Sequence, residues 1–214
     1  MKVAALVAAA GSSSRMGTCK ALLPYSGRLS FVRRLAEVYL SAGADPVIVT
    51  VPDGCYDNDV HDEDDEHGRR VRAQLHDLPV VIASNDAPAL GLTGSVQCAL
   101  THATAAEALL ISPVDCPFVD VGLVQVLVAA VRVAVAAVPI VGVGEATRRG
   151  HPAAFSRAAF ELLWGADQIG GARAVLAGLG SEVIEVPWSD ARVTEDVDTP
   201  ADYQRLFGRM PRRP

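Results

Sequence analysis

The residues best able to do chemistry begin where the first apolar run, Lys2 to Ala8, ends. Ala9-Ala10-Gly11-Ser12-Ser13-Ser14-Arg15-Met16-Gly17-Thr18-Cys19-Lys20 is built of small residues and carries one guanidinium and, five positions later, one ammonium. Gly11 and Gly17 open backbone conformations closed to other residues, and the alanines and serines keep side chains short, so main-chain amides can approach a ligand closely. Successive N–H groups make an anion nest. Arg15 adds a planar fork and Lys20 a mobile point charge, a combination suited to a triphosphate. Two familiar phosphate loops fail here. A Walker A loop needs lysine directly after its second glycine, whereas Thr18 and Cys19 intervene, and the dinucleotide pattern G-x-G-x-x-G is broken by Ser12, Ser13 and Ser14.

Four further places carry candidate groups: Asp115 after the run Ala108 to Ser112, His151 before Pro152, Asp196 and Asp198 before Pro200, and an acidic stretch from Asp57 to His67. Capping of the helix that Pro200 begins, by Asp198 or by Thr199 beside it, is the competing role. Arg148 and Arg149 suit either an anionic acceptor or a solvated hairpin. The acidic stretch holds seven carboxylates in eleven residues. With His61 and His67 it could hold a cation, but so dense a run repels itself and lacks a regular ligand register, so the expectation is a solvated loop inserted at about residues 52–70.

The elements that must position these groups follow from periodicity. Short β-branched runs predict strands at Val3 to Ala8, Pro46 to Val51, Val80 to Ala83, Ala108 to Ser112, Val133 to Val138 and Val183 to Val186. Helical patterns between them cover Phe31 to Ser41, Ser95 to Thr104, Gly122 to Ala130, Arg157 to Trp164, Gly171 to Ala177 and Pro200 to Phe207. This alternation predicts an α/β fold with a mostly parallel sheet covered on both faces. In such sheets ligands collect beyond the carboxyl ends of the strands, where the loop after the first strand and Asp115 would both lie.

Composition narrows the class. The chain has 214 residues, 50% of them hydrophobic and 21% charged, enough for one globular domain with a substantial core. A net charge of -6 gives no basic face for nucleic acid, while a small anion needs only a local positive pocket. Cys19, Cys55, Cys98 and Cys116 are scattered without zinc-knuckle or C-x-x-C spacing and read as reduced thiols of a cytoplasmic protein. No signal peptide is expected, and no membrane partner: the most apolar stretch, Val119 to Val143, is interrupted by Asp120, Gln125, Arg132 and Pro139.

The opening loop resembles the (L)AAG-x-S-x-RMG-x-x-K signature of MobA-like nucleotidyltransferases, with Ala9-Ala10-Gly11, Ser13, Arg15-Met16-Gly17 and Lys20 on the matching positions. Further stretches agree in order: Asn85 with Gly91-Leu92-Thr93-Gly94-Ser95, Asp115-Cys116-Pro117, Gly150-His151-Pro152, and Asp196-Val197-Asp198-Thr199-Pro200 with Asp202. Gly170-Gly171-Ala172-Arg173 resembles a further element, at a spacing from Asp167 that departs from the usual pattern. The resemblance implies a single-domain, Rossmann-like three-layer sandwich of the nucleotide-diphospho-sugar transferase type over residues 2–208, with 209–214 a flexible tail. It implies that Ala9, Ala10, Gly11, Ser12, Ser13, Arg15, Lys20, Asn85, Gly91 and Ser95 bind a nucleotide, that Arg15, Lys20 and Asp115 are catalytic, that Asp115 and Asp198 hold Mg2+, and that His151 binds the acceptor.

Ala9-Ala10-Gly11, Gly150-His151-Pro152 and Cys19, where the guanylyl branch commonly has aspartate, point to the cytidylyl branch. The activity so implied is transfer of CMP from CTP to a phosphorylated acceptor such as molybdopterin, with a molybdoenzyme as a client. Two other readings share the scaffold: an NAD(P)H-dependent oxidoreductase resembling nicotine-blue oxidoreductase, and a noncatalytic carrier of the molybdenum cofactor.

Overall fold

Val3–Ala8 forms β1, an unbroken apolar run of the kind that suits a strand buried on both faces. Its residues alternate between two cores, Val3, Ala5 and Val7 facing one and Ala4 and Leu6 the other. The computed structural model describes residues 1–11, 13–52, 63–167 and 170–210. After β1 come a short hairpin, β2 (Pro24–Ser26) and β3 (Leu29–Ser30), then α1 (Phe31–Ser41), β4 (Val47–Pro52), α2 (Glu63–Leu75), β5 (Val81–Asn85) and α3 (Leu92–His102). The second half runs β6 (Ala108–Pro113), α4 (Val121–Ala130), β7 (Ala136–Val141), β8 (Arg148–Arg149), β9 (Ala153–Ser156), α5 (Phe160–Trp164), α6 (Gly171–Leu179), β10 (Val183–Pro187) and α7 (Pro200–Phe207).

Among the described residues eight strands form one sheet in the order β10-β7-β9-β6-β1-β4-β5, with β8 on β7. β1 pairs in parallel with β4 and β6, Leu6 lying opposite Ile48 and Ile111. The chain steps outward from β1 to β4 and β5, then returns to place β6 on the other flank of β1. That reversal opens a crevice at the carboxyl ends of β1 and β6. One sheet face is covered by α1, α2, α4 and α7, the other by α3, α5 and α6, which makes the expected three-layer sandwich with a mostly parallel sheet. The departure is β9, antiparallel to both β6 and β7.

α7 is fastened hard. Thr199 caps its N-terminus, with Asp202 completing a reciprocal capping box and Pro200 in the first turn. Tyr203 is fully buried, donates its hydroxyl to the Pro24 carbonyl at 2.6 Å, and stacks on Phe207 with ring centroids 4.6 Å apart. The residues just before α7 are therefore held close to the hairpin that follows the first loop.

Two expectations need correction. The seventh strand begins later than Val133: Arg132 and Val133 belong to the turn that closes α4, and Val133 is 83% exposed. An apolar run alone does not say where a helix end gives way to a strand. The acidic stretch, expected as a loop to about residue 70, becomes helical from Glu63. That helix runs from acidic to basic in sequence, the order a helix dipole favours, and buries Val71 and Leu75, one turn apart, against the sheet. Positions 53–62, His61 among them, lie outside the described residues.

Truncating the α7 anchor tests its weight. Tyr203→Ala should lower the unfolding free energy in urea by about 3 kcal/mol or more, the range for aromatic truncation in a core. Tyr203→Phe, which only removes the donor to Pro24, should cost about 1 kcal/mol.

Candidate functional site

The loop after β1 folds around Ser13, whose φ of +52° is the left-handed backbone that turns the chain. The Ser13 carbonyl accepts the amides of Met16 at 3.0 Å and Gly17 at 3.2 Å, and its Oγ accepts the Lys20 amide at 3.0 Å. Met16 is buried and plugs the turn into the core. The serine hydroxyl is thereby engaged inside the loop. Ser12 lies outside the described residues.

The second wall is the turn into α3. Asn85, buried at the end of β5, donates to Ser95 Oγ at 3.3 Å and accepts the Ala87 amide at 3.0 Å through Oδ1. A Cβ on Gly94 would stand 2.5 Å from the Ala87 carbonyl oxygen, so only glycine lets the helix come this near. Gly91, at φ +58°, supplies the bend before the helix. Between the two walls lies a cavity of about 360 Å³, lined by Ala9, Ala10, Gly11, Ser13 and Lys20 on one side and by Gly91 and Ser95 on the other, with Asp115 at its edge. Asn85 is not on its surface but shapes the turn from beneath.

Two chain segments then meet beyond β6. The Val114 amide donates to the Ala8 carbonyl at 3.0 Å, continuing the β1 to β6 ladder, and the Val197 amide donates to the Asp115 carbonyl at 2.9 Å. Val197 is fully buried. Flanking it, Asp115 and Asp198 reach Lys20, while Cys116 Sγ donates to Asp196 Oδ1 at 3.0 Å and, at a longer 3.8 Å, to Asp115 Oδ1.

The charge geometry centres on Lys20. Its Nζ lies 2.9 Å from Asp115 Oδ2 and 2.5 Å from Asp198 Oδ1, and only 11% of its side chain is exposed. Arg15 binds the other oxygen of Asp198 at 2.9 Å, with a largely exposed guanidinium. Burial works to lower the Lys20 pKa, but the hydrogen bonds and charge of Asp198 and Asp115 outweigh it, so the ammonium is held above its ordinary value. Helix capping falls to Thr199 and Asp202, which leaves the Asp198 carboxylate to the two cations.

Other predicted residues lie elsewhere. His151 is not joined to the Lys20 group. It follows β8, precedes a cis bond to Pro152, and donates its amide to the Val193 carbonyl at 2.8 Å. A Cβ on Gly150 would meet that same oxygen at 2.5 Å. Burial pushes the His151 pKa down, so the imidazole is neutral near pH 7. Arg148 pairs with Glu195 and Arg149 with Glu185, at 3.5 and 2.9 Å, the hairpin arrangement and not one aimed at the cavity. Asp167 Oδ1 accepts the Gly170 amide at 3.0 Å, and Arg173 is exposed. Two contacts had no signal in the sequence. Cys19 Sγ lies 3.1 Å from His67 Nε2, tying α2 to the residue before Lys20, and Cys116, the variable position of its motif, sits against Asp196.

Because the folded state raises the Lys20 pKa above 10.5, its contribution to stability is complete below that pH and is lost as pH rises through the folded value. The stability difference between wild type and Lys20→Met, measured by urea unfolding, should be flat from pH 8 to 10 and shrink above it. An unchanged difference at pH 11.5 would remove the lysine from the charge balance.

Comparison with known proteins places the fold. The chain is similar to Rv0371c from Mycobacterium tuberculosis H37Rv, at 27% identity and a TM-score of 0.74 over 98% of each chain. The same protein in complex with manganese gives 25% identity and a TM-score of 0.71 over 98% of this chain and 99% of that one. A homologue of Rv0371c from Mycobacterium sp. strain JC1 aligns at 29% identity, with a TM-score of 0.73 over 97% of each chain. A nucleotidyl transferase from Methanothermobacter thermautotroptrophicus shares the fold at 23% identity, with a TM-score of 0.73 over 96% of this chain and 95% of that one. No curated protein sequence gives a match. Residues 5–183 match the MobA-like NTP transferase domain, and the chain belongs to that nucleotidyltransferase family.

Proposed function

We propose that this protein transfers CMP from CTP to the phosphate of a small acceptor, molybdopterin being the acceptor class, with release of pyrophosphate. The observation that carries this reading is the convergence of Lys20, Arg15, Asp115 and Asp198 beside a cavity walled by small residues and backbone. Such walls let amides reach phosphate oxygens, while the two cations stand ready to pair with them.

The carboxylates suit a hard divalent cation. Asp115 and Asp198 come from distant segments and already share one positive group, the Lys20 ammonium, which stands in for a cation between them. Both offer only oxygen donors, the set that magnesium and manganese prefer. Rv0371c, a relative, has been crystallised with manganese. A cation held by Asp115 and Asp198 would supply charge neutralisation on phosphate oxygens.

The chain's own groups do the rest. An acceptor phosphate oxygen attacks the α-phosphorus of CTP, a new P–O bond forms, the bond to the β-phosphate bridging oxygen breaks, and the electron pair leaves with pyrophosphate. The attacking phosphate is already anionic near neutral pH, so no residue need remove a proton. Lys20 and Arg15 hold the triphosphate and balance charge growing on the leaving group, and the loop aligns the two anions. Asn85, through Ser95 and Ala87, keeps the opposite wall in place. The Ala9-Ala10-Gly11 and Gly150-His151-Pro152 stretches support cytidine over guanosine, and His151 belongs to the acceptor side.

The decisive measurement is pyrophosphate release with each of the four ribonucleoside triphosphates and magnesium, with and without molybdopterin. Release should require CTP and the acceptor together. CTP binding without pyrophosphate release would indicate a carrier instead. Lys20→Ala should slow turnover by about 100-fold or more, as loss of one preorganised donor does; full turnover in that variant refutes the assigned role.

A further inference from the structure

Cys116, His151 and Asp196 each present one donor atom, and the three atoms lie within 4.8 Å of one another. Cys116 follows β6, His151 precedes β9, and Asp196 precedes α7, so three separate segments bring sulfur, nitrogen and oxygen to one point. The Val197 to Asp115 hydrogen bond sets this cluster beside the Lys20 group: Asp115 and Asp198 bond the lysine, while Cys116 bonds Asp196 at 3.0 Å and lies 3.8 Å from Asp115 Oδ1.

The histidine is poised in an unusual way. Among the described residues its Nδ1 is buried without a hydrogen-bond partner. A neutral imidazole nitrogen with no hydrogen-bond partner can offer its lone pair to a metal ion. Desolvating that nitrogen with nothing to bind is unfavourable.

We infer that Cys116, His151 and Asp196 form a site for one thiophilic divalent ion of the zinc class, separate from the oxygen-only pair Asp115 and Asp198. Tetrahedral zinc, with bonds of about 2.0–2.3 Å, needs donors about 3.5 Å apart, and Cys116 Sγ and Asp196 Oδ1 stand at 3.0 Å. On binding, the Cys116 thiol releases its proton to solvent and the sulfur binds as thiolate, while Asp196 changes from hydrogen-bond acceptor to ligand. Asp196 is exposed, which gives the ion a way in. Sulfur and imidazole select against magnesium, and three protein ligands leave a fourth position for water or a group of the acceptor. The inference does not depend on which nucleotide or acceptor the protein uses.

Cobalt(II) is the probe, because thiolate ligation gives a near-ultraviolet charge-transfer band and tetrahedral coordination strong visible bands. The chelator-stripped full-length chain should develop both bands with one equivalent of Co2+, lose them to one equivalent of Zn2+, and keep them in excess Mg2+. Cys116→Ser should abolish the charge-transfer band, and Asp196→Asn should weaken cobalt binding at least about tenfold, since even outer partners of a metal site cost that much. Cys19→Ser should leave the band intact. Zn2+ should also raise the melting temperature of wild type more than that of Asp196→Asn, a reading that survives if Cys116→Ser fails to fold. A wild-type protein without the band, a band that persists in Cys116→Ser, or one that disappears in Cys19→Ser overturns the site.

Discussion

The structure depends on one ammonium shared by two carboxylates. Lys20 is nearly buried, and a buried charge is tolerated only when it is paired and hydrogen-bonded. Asp115 and Asp198 satisfy that need from opposite directions, one from the centre of the sheet and one from the edge of the last helix. The same contact therefore closes the fold and assembles the site: the loop after β1, the end of β6 and the start of α7 cannot drift apart without exposing an unpaired charge. Arg15, on the second oxygen of Asp198, extends the arrangement toward solvent.

Rigid packing underlies these ionic contacts. Tyr203, Phe207 and Phe31 stack beneath α7, and the reciprocal cap at Thr199 and Asp202 leaves Asp198 with no local duty. On the opposite wall Gly94 and Asn85 do comparable work, one by leaving out a side chain and the other by bonding both sides of a turn. Small residues, Ala8 to Gly11 with Ser13, Gly91 and Ser95, make up much of the cavity lining. This lining suits a ligand rich in phosphate oxygens, because main-chain amides are then the nearest donors.

Much of this was legible in the amino acids. β1, α1 and α7 have the bounds read from sequence, and in the structure a side chain caps the start of each of the two helices, Ser30 for α1 and Thr199 for α7. Asp115 stood out as a carboxylate at the end of an apolar run in an α/β chain, and Lys20 and Asp198 through the loop and motif in which each sits. What stayed hidden has physical causes too. α2 was masked by its charge density, with only Val71 and Leu75 marking an apolar stripe. β9 is four residues long, too short for alternation to register. The meeting of Cys116, His151 and Asp196 depends on how three loops pack, which no local pattern encodes.

The reversed direction of β9 has a geometric result of its own. In a purely parallel sheet only segments leaving a strand can reach the ligand edge, because every segment arriving at a strand does so on the far side. A strand laid head to tail between β6 and β7 inverts this, so residues leading into it, His151 first, come up beside the tip of β6. The fold thus brings an extra loop to its carboxyl edge without adding another helix crossover.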